Sequence, residues 1–427
     1  MYKFVINGQK KLEGEVEISG SKNAALAIIP ATLLVEGACE IHSVPDIDDV
    51  RTMLHILEQL GATVERLPKD IIKIDTSKIT SHIATYEMAG KIRASCYLLG
   101  ALLGSRKMAE VATPGGCDIG VRPINQHLKG FELMGATYTQ EHGAVILKAE
   151  RLHGAHVYLD VVSVGATVNI IFAAVKAEGI TVIENAAKEP HIVDLVNFLN
   201  AMGANIKGAG TDVIRIKGVA NLRGGYKHTI IPDQIEAGTF MIAAATTKGN
   251  VLIKNVIPTH MESLVSKLIE LDVNVEEFGD EIRVWVDKPI RKAIVKTQPH
   301  PGFPTDLQPM IATLLCFAEG NSSVNEAIWD SRFQYVDELK RMGAKIEVTG
   351  RVAMIEGVKA LSGAPIRAHD LRAGAAMVIA GLAAEGKTEI YDVHFIDRGY
   401  HGFVEKLQAL GADIERVEII ERGRDRW

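Results

Sequence analysis

The stretch VYLDVVSVGATVNIIFAAVKAEGITVI runs from Val157 to Ile183. It reads as a short strand, a polar loop, an alanine-rich apolar run of helical length, a glycine and a second strand. Alanine is the strongest helix former, and small side chains let helices pack closely. The helix is therefore expected to be buried, with the glycine after it as its C-terminal cap. The same signature recurs from Val16 (VEISGSKNAALAIIPATLLVEGACEI), from Thr229 (TIIPDQIEAGTFMIAAATTKGNVLI) and from Pro365 (PIRAHDLRAGAAMVIAGLAAEGKTEI). Looser copies start at Met88 (MAGKIRASCYLLGALLGSRKMAEV) and Pro299 (PHPGFPTDLQPMIATLLCFAEGNSSV).

Between these copies lies a second signature, an amphipathic helix end, a small-residue turn and a strand. It appears as LEQLGATVE, FELMGATYT, LNAMGANIK, LIELDVNVE, LKRMGAKIE and LQALGADIE. The turn residues Gly61, Gly135, Gly203, Asp272, Gly343 and Gly411 are spaced 74, 68, 69, 71 and 68 residues apart. That period is too long for a solenoid and fits a duplicated α/β unit. The chain is thus expected to be an α/β protein built from six β-α-β-α-β-type units.

Composition narrows the function. The 427 residues are 47% hydrophobic and 23% charged, an ordinary globular balance. A net charge of −6 argues against a nucleic-acid surface. The N-terminal stretch carries no signal-like apolar run, and nothing approaches the roughly 20 apolar residues of a membrane span, so a cytoplasmic protein without membrane partners is expected. Cys39, Cys96, Cys117 and Cys316 form no CxxC pair, so free thiols are expected.

The loops before the alanine-rich helices concentrate polar residues: Ser21-Lys22-Asn23, Arg93, Ser163, Asp233 with Glu236, Thr305-Asp306, and Asp370 with Arg372. Ser, Thr, Asp and Asn are ordinary N-caps there. Lysine and arginine are not, and helix N-termini suit anions. Lys22, Arg93, Arg122, Arg332, Arg372 and Arg398 in an acidic protein point to a small substrate with several negative groups. Asp306, boxed by prolines in PGFPTDLQP, is either an N-cap or a general base.

Cys117, in the loop PGGCDIGVRP, differs from the other cysteines, which sit in apolar runs and read as core. A thiol near Arg122 on a glycine-rich tip is a candidate acid or nucleophile. Two formal motifs fail. Gly381–Thr388 spells a P-loop but closes a helix and precedes a strand, the reverse of what a P-loop needs. His153-Gly154-Ala155-His156 is too short for a metal site. No metal and no cofactor are expected.

Taken in order, GSKNAA, IRAS, PGGCDIGVRP, LDVVSVGAT, PDQIEAGTF, FPTDLQ, SRF, DLRAGA and DRGY resemble the enolpyruvyl transferases over the whole chain. The resemblance implies a two-domain inside-out α/β barrel with three repeats per domain. One domain would span 21–230 and carry the Cys117 lid loop; the other would join 1–20 to 231–427. It also implies substrates held in a cleft between the domains.

The implied reaction moves the enolpyruvyl group of phosphoenolpyruvate to the 3-hydroxyl of UDP-N-acetylglucosamine. It releases phosphate by addition and elimination, as the first committed step of peptidoglycan synthesis. Cys117, Asp306, Lys22 and Arg398 would be catalytic, Asp306 as base at the sugar hydroxyl and Cys117 as acid at the methylene carbon. Lys22, Asn23, Arg122, Arg332, Arg372 and Arg398 would hold phosphoenolpyruvate. Arg93, Arg122, Pro123, Ile124, Asn125, Gln126, Ser163, Val164, Asp306 and Ile328 would line the nucleotide-sugar site. Cys117 further implies sensitivity to the epoxide fosfomycin.

Two residues depart from the family pattern. Asn125 stands where aspartate is usual, and Val161 where some members have lysine. Two rival readings stay open: the shikimate-pathway transferase, which shares the repeat, and a silent paralogue that only binds UDP-sugars.

Overall fold

The computed structural model describes residues 1–112 and 123–419. These form two compact units: one comprises residues 19–112 and 123–231, and the other joins Met1–Ile18 to residues 232–419. Each unit contains three buried apolar helices, one from each copy of the signature. In the first they are Lys22–Ala31, Tyr97–Arg106 and Val164–Ala174. In the second they are Gln234–Thr246, Gln308–Leu315 and Leu371–Ala383, all three in mutual contact.

These helices are buried on nearly every side. In Gln234–Thr246 every residue from Ile235 to Thr246 is buried. A helix with no polar face can only be satisfied in the middle of a unit, with other elements around it. Small residues allow the close approach. A Cβ on Gly100 would lie 2.4 Å from the carbonyl oxygen of Asn169 on the neighbouring helix. Asn169 also donates order to this crossing, since its Oδ1 accepts from the Gly100 amide at 2.7 Å. Gly100→Val is therefore expected to cost at least about 3 kcal/mol, because backbone rather than a movable side chain blocks the new atoms. A urea melt with an unchanged midpoint would contradict this.

Among the described residues the sheets repeat one pattern six times, three times in each unit. Each has four strands; the first pair is parallel and the next two pairs antiparallel. His156–Tyr158, Ile180–Glu184, Val213–Lys217 and Asn205–Lys207 are one example. The repeat is thus β-α-β-α-β-β, one strand longer than the sequence pattern implies. The additional strand is the one after the turn strand: Thr137–Glu141 belongs to the signature FELMGATYT, and Ala144–Lys148 follows it and pairs with both it and Met108–Ala112. Thr137–Glu141 (TYTQE) is exposed at all five positions and forms the wet edge, whereas Ala144–Lys148 buries Val145 and Leu147.

The turn signature is a helix stop. The Gly61 amide bonds to the Glu58 carbonyl and the Ala62 amide to the Leu57 carbonyl, the pattern of a Schellman cap. Gly61 has φ 111°, and Asp272, the one non-glycine in the series, takes φ 61°. The glycines after the alanine-rich helices behave differently from expectation. Gly179 and Gly386 lie beyond the helix ends at Ala174 and Ala383, and turn the chain into the next strand at φ 92° and 85°. The alanine-rich helices end instead at Val175 and Ala384, which are not glycine. Gly386 therefore sits between a helix and the strand Lys387–Tyr391, which excludes a P-loop there.

Sequence-distant strands complete three of the sheets. Lys227–Thr229 pairs with Ala38–His42 in the first unit. In the second, Tyr2–Asn7 sits between Lys387–Tyr391 and Asp413–Glu418, and Glu13–Glu17 pairs with Asn250–Lys254. The N-terminus is thereby built into the unit made mostly of the C-terminal half. Among the described residues no helix is long and apolar enough to cross a membrane.

Candidate active site

In the second unit the tight turn Thr305–Leu307 leads into the helix Gln308–Leu315. Asp306 on this turn lies between two arginines. Its Oδ1 is 3.0 Å from the Arg332 guanidinium and its Oδ2 is 3.3 Å from that of Arg372. Both arginines are buried, at 3% and 4% exposure, whereas the Asp306 side chain keeps 31%. The carboxylate is thus reachable while its partners are fixed.

The supports are specific. Arg332 also donates to the Thr305 hydroxyl at 2.8 Å, and its carbonyl accepts from Gln308 Nε2 at 3.2 Å. Arg372 lies over the Tyr400 ring, 5.5 Å from the centroid, and the Tyr400 hydroxyl bonds Thr239 at 2.8 Å. Burial works against the charge of Arg372, but Tyr400, Asp306 and Asp233 outweigh it and hold the guanidinium above its ordinary value. Asp370 caps the Leu371–Ala383 helix by accepting from the Arg372 and Ala373 amides. Arg398 ends the short helix His394–Asp397 and is half-buried.

Glu326 escapes any reading of the sequence, since glutamate is usually exposed. Here it is fully buried. It accepts from the Thr297 and Thr305 hydroxyls, both at 2.8 Å, and from the Ile328 and Trp329 amides at 2.9 and 3.2 Å. One carboxylate therefore orders both Thr305, beside Asp306, and Ile328.

In the first unit Ser21 caps the helix Lys22–Ala31, its hydroxyl accepting from the Ala24 amide at 3.3 Å. Lys22 is buried, with its ammonium 2.8 Å from Asp49, itself only 4% exposed. Asp49 was not legible as a partner, because it looks like any acidic residue in the first turn of Asp48–Leu60. Asn23 follows on the same turn and is half-buried.

A second group in this unit surrounds the start of Val164–Ala174. Ser163 caps that helix through Ala166 at 3.2 Å. Gln126 exchanges two bonds with Asp160, Nε2 to Oδ2 and Oε1 from the Asp160 amide, both at 2.9 Å. Gln126 and then Lys129 hold the Asp160 carboxyl below its usual range. Pro123 and Ile124 lead into the helix Asn125–Leu133, where Asn125 is exposed. Arg93 opens the short helix Arg93–Cys96 and is half-buried. Val161 is 60% exposed. Cys117 and Arg122 lie outside the described residues.

His127 belongs to this group and is 4% exposed. Burial first, and then the charge of Arg93, pushes it down from 6.5 to about 4. The unfolded chain therefore binds this proton before the folded one does. Its contribution is fully present above about 6.5 and is lost as pH falls towards about 4. His127→Gln is expected to remove up to about 3 kcal/mol of acid destabilisation over that window. Urea midpoints at pH 7 and pH 4, for parent and variant, check this; equal pH slopes would contradict it.

Comparisons with known proteins bear on this geometry. Residues 6–407 match the family model described as EPSP synthase (3-phosphoshikimate 1-carboxyvinyltransferase). A UDP-N-acetylglucosamine 1-carboxyvinyltransferase of Caldanaerobacter subterraneus subsp. tengcongensis is 58% identical over 417 residues, covering 98% of this chain and all of the relative. One of Clostridium botulinum is 57% identical over 418 residues, again covering 98% of this chain and 100% of the relative. The chain belongs to the UDP-N-acetylglucosamine 1-carboxyvinyltransferase family.

Solved structures agree with that fold. The enolpyruvyl transferase NikO from Streptomyces tendae superposes with a TM-score of 0.88 at 27% identity, covering 97% of this chain and 99% of its own. EPSP synthase from Acinetobacter baumannii gives 0.76 at 22%, covering 98% and 100%, which speaks to the fold alone. The two-domain α/β expectation thus holds for this carboxyvinyltransferase.

Proposed function

We propose that this protein transfers the enolpyruvyl group of phosphoenolpyruvate to the 3-hydroxyl of UDP-N-acetylglucosamine and releases phosphate. The observation that carries the reading is the near-complete alignment at 57–58% identity with two carboxyvinyltransferases that act on that nucleotide sugar. The reaction is the first committed step of peptidoglycan synthesis and proceeds by addition and elimination.

Asp306 is the base at the sugar hydroxyl, which needs a reachable carboxylate held by fixed partners. Arg332 and Arg372 orient it and, with Lys22, Asn23, Arg122 and Arg398, bind phosphoenolpyruvate and offset charge that develops on its oxygens. Cys117 delivers the proton to the methylene carbon. Arg93, residues 122–126, Ser163, Val164 and Ile328 hold the nucleotide sugar. At the diphosphate, the N-terminus of Val164–Ala174 supplies partial positive charge where Val161 cannot. We assign the protein to the cytoplasm.

The test is phosphate release from phosphoenolpyruvate with either UDP-N-acetylglucosamine or shikimate 3-phosphate as acceptor. Release with the nucleotide sugar alone is expected. Release only with shikimate 3-phosphate would move the protein to the sister activity. Binding of the nucleotide sugar without turnover would make it a silent paralogue.

A further inference from the structure

The first unit begins and ends at neighbouring points of the backbone, and a buried carboxylate holds them. The strand Lys227–Thr229 runs parallel to Ala38–His42, and its ladder ends with the Ile230 amide on the His42 carbonyl. The next amide, Ile231, has no strand partner. Asp194 Oδ2 accepts from it at 3.2 Å. Pro232 follows and has no N–H, and a residue before proline is held extended. The Ile231 carbonyl in turn accepts from the Ser21 amide at 2.7 Å.

Ser21 is the cap of the helix whose first two residues are Lys22 and Asn23. The other oxygen of Asp194 bonds His228 Nε2 at 3.0 Å, and His228 packs edge-on against Phe198, centroids 5.5 Å apart. Asp194 is 3% exposed and sits on the helix Pro190–Ala201, which packs against Lys22–Ala31. A carboxylate used at both oxygens, in a dry place, fixes direction better than it adds stability.

We infer that Asp194 is a positioning residue for Lys22 and Asn23, acting through the Ile231 peptide and the Ser21 amide, with His228 fixing its rotamer. The inference rests on the reading that Lys22 binds phosphoenolpyruvate. A misplacement of that lysine by about 1 Å is expected to reduce use of this substrate by 10- to 100-fold.

The test compares Asp194→Ala, Asp194→Asn and a destabilised control, Val157→Ala, whose site is buried in the same unit and has no bond to either crossing point. Asparagine can still accept from the Ile231 amide and donate to His228 in its other tautomer. Asp194→Ala is expected to lower kcat/KM for phosphoenolpyruvate by about 10- to 100-fold while KM for the nucleotide sugar moves less than about two-fold. Asp194→Asn should return to within about three-fold of the parent, and Val157→Ala should change stability alone. Hydrogen exchange at the Ser21 amide should rise in Asp194→Ala only.

An unchanged kcat/KM for phosphoenolpyruvate in folded Asp194→Ala overturns the inference. So does an Asn variant as impaired as Ala, or a control that loses as much. Should Asp194→Ala not fold, Asp194→Glu takes its place, since its longer stem displaces the Ile231 peptide. A parent protein that turns over neither acceptor would refute the assigned reaction, while Ser21 exchange would still decide whether Asp194 holds this segment.

Discussion

Asp306→Asn is expected to lower kcat by about 10²- to 10⁴-fold, the range for loss of a positioned acid–base group. The structural reason is that the carboxylate is partly open to solvent while Arg332 and Arg372, which fix it, are buried. Asparagine keeps the shape and one acceptor oxygen. It turns an amide N–H₂ towards one of two guanidiniums that can only donate. The fold should survive, because both arginines keep other contacts, to Thr305 and to the Tyr400 ring. Nucleotide-sugar binding, followed by calorimetry, should therefore persist while phosphate release collapses. Turnover above a tenth of the parent would remove Asp306 from the role of base.

Glu326→Ala is expected to cost about 3–5 kcal/mol, the scale for removing one partner from a buried charged network. It would strand two hydroxyls and two amides that now share one carboxylate. Glu326→Gln should be much milder. The oxygen that accepts three bonds can remain a carbonyl, and the new N–H₂ can donate to the Thr305 hydroxyl. That hydroxyl already accepts from Arg332 and has a second lone pair. Urea denaturation separates the two variants, and equal losses would mean that volume rather than hydrogen bonding dominates. Activity should follow the same order, because Thr305 and Ile328 move when their common acceptor goes.

These two residues differ in how far they could be read in advance. Asp306 stands out because prolines and a following helix mark its loop. Glu326 stands in NEAIWD, where nothing local separates a buried carboxylate from a solvated one. Lys22 was visible as a lysine at a capping position, but its partner Asp49 was not. Asp194 likewise passes for an ordinary helical aspartate until the Ile231 amide and His228 are seen bonded to it. The gap has one cause. Sequence reports what a residue can bond to, whereas burial and pairing depend on which distant segment arrives beside it.

The repeat shows the same division. Helix stops at Gly61, Gly135, Gly203, Gly343 and Gly411 follow from local chemistry, because a left-handed residue is cheapest as glycine. Buried central helices follow from composition, because a helix apolar all round has no face for water. The sequence by itself therefore determined the six-fold repeat, its helices and the loops that carry the polar residues. Only the tertiary structure decided the rest: the second strand of each hairpin, the strands that join the N-terminus to the second unit, and the buried carboxylates that aim the cationic groups. Those choices rest on contacts between residues far apart in the chain, and no local preference encodes them.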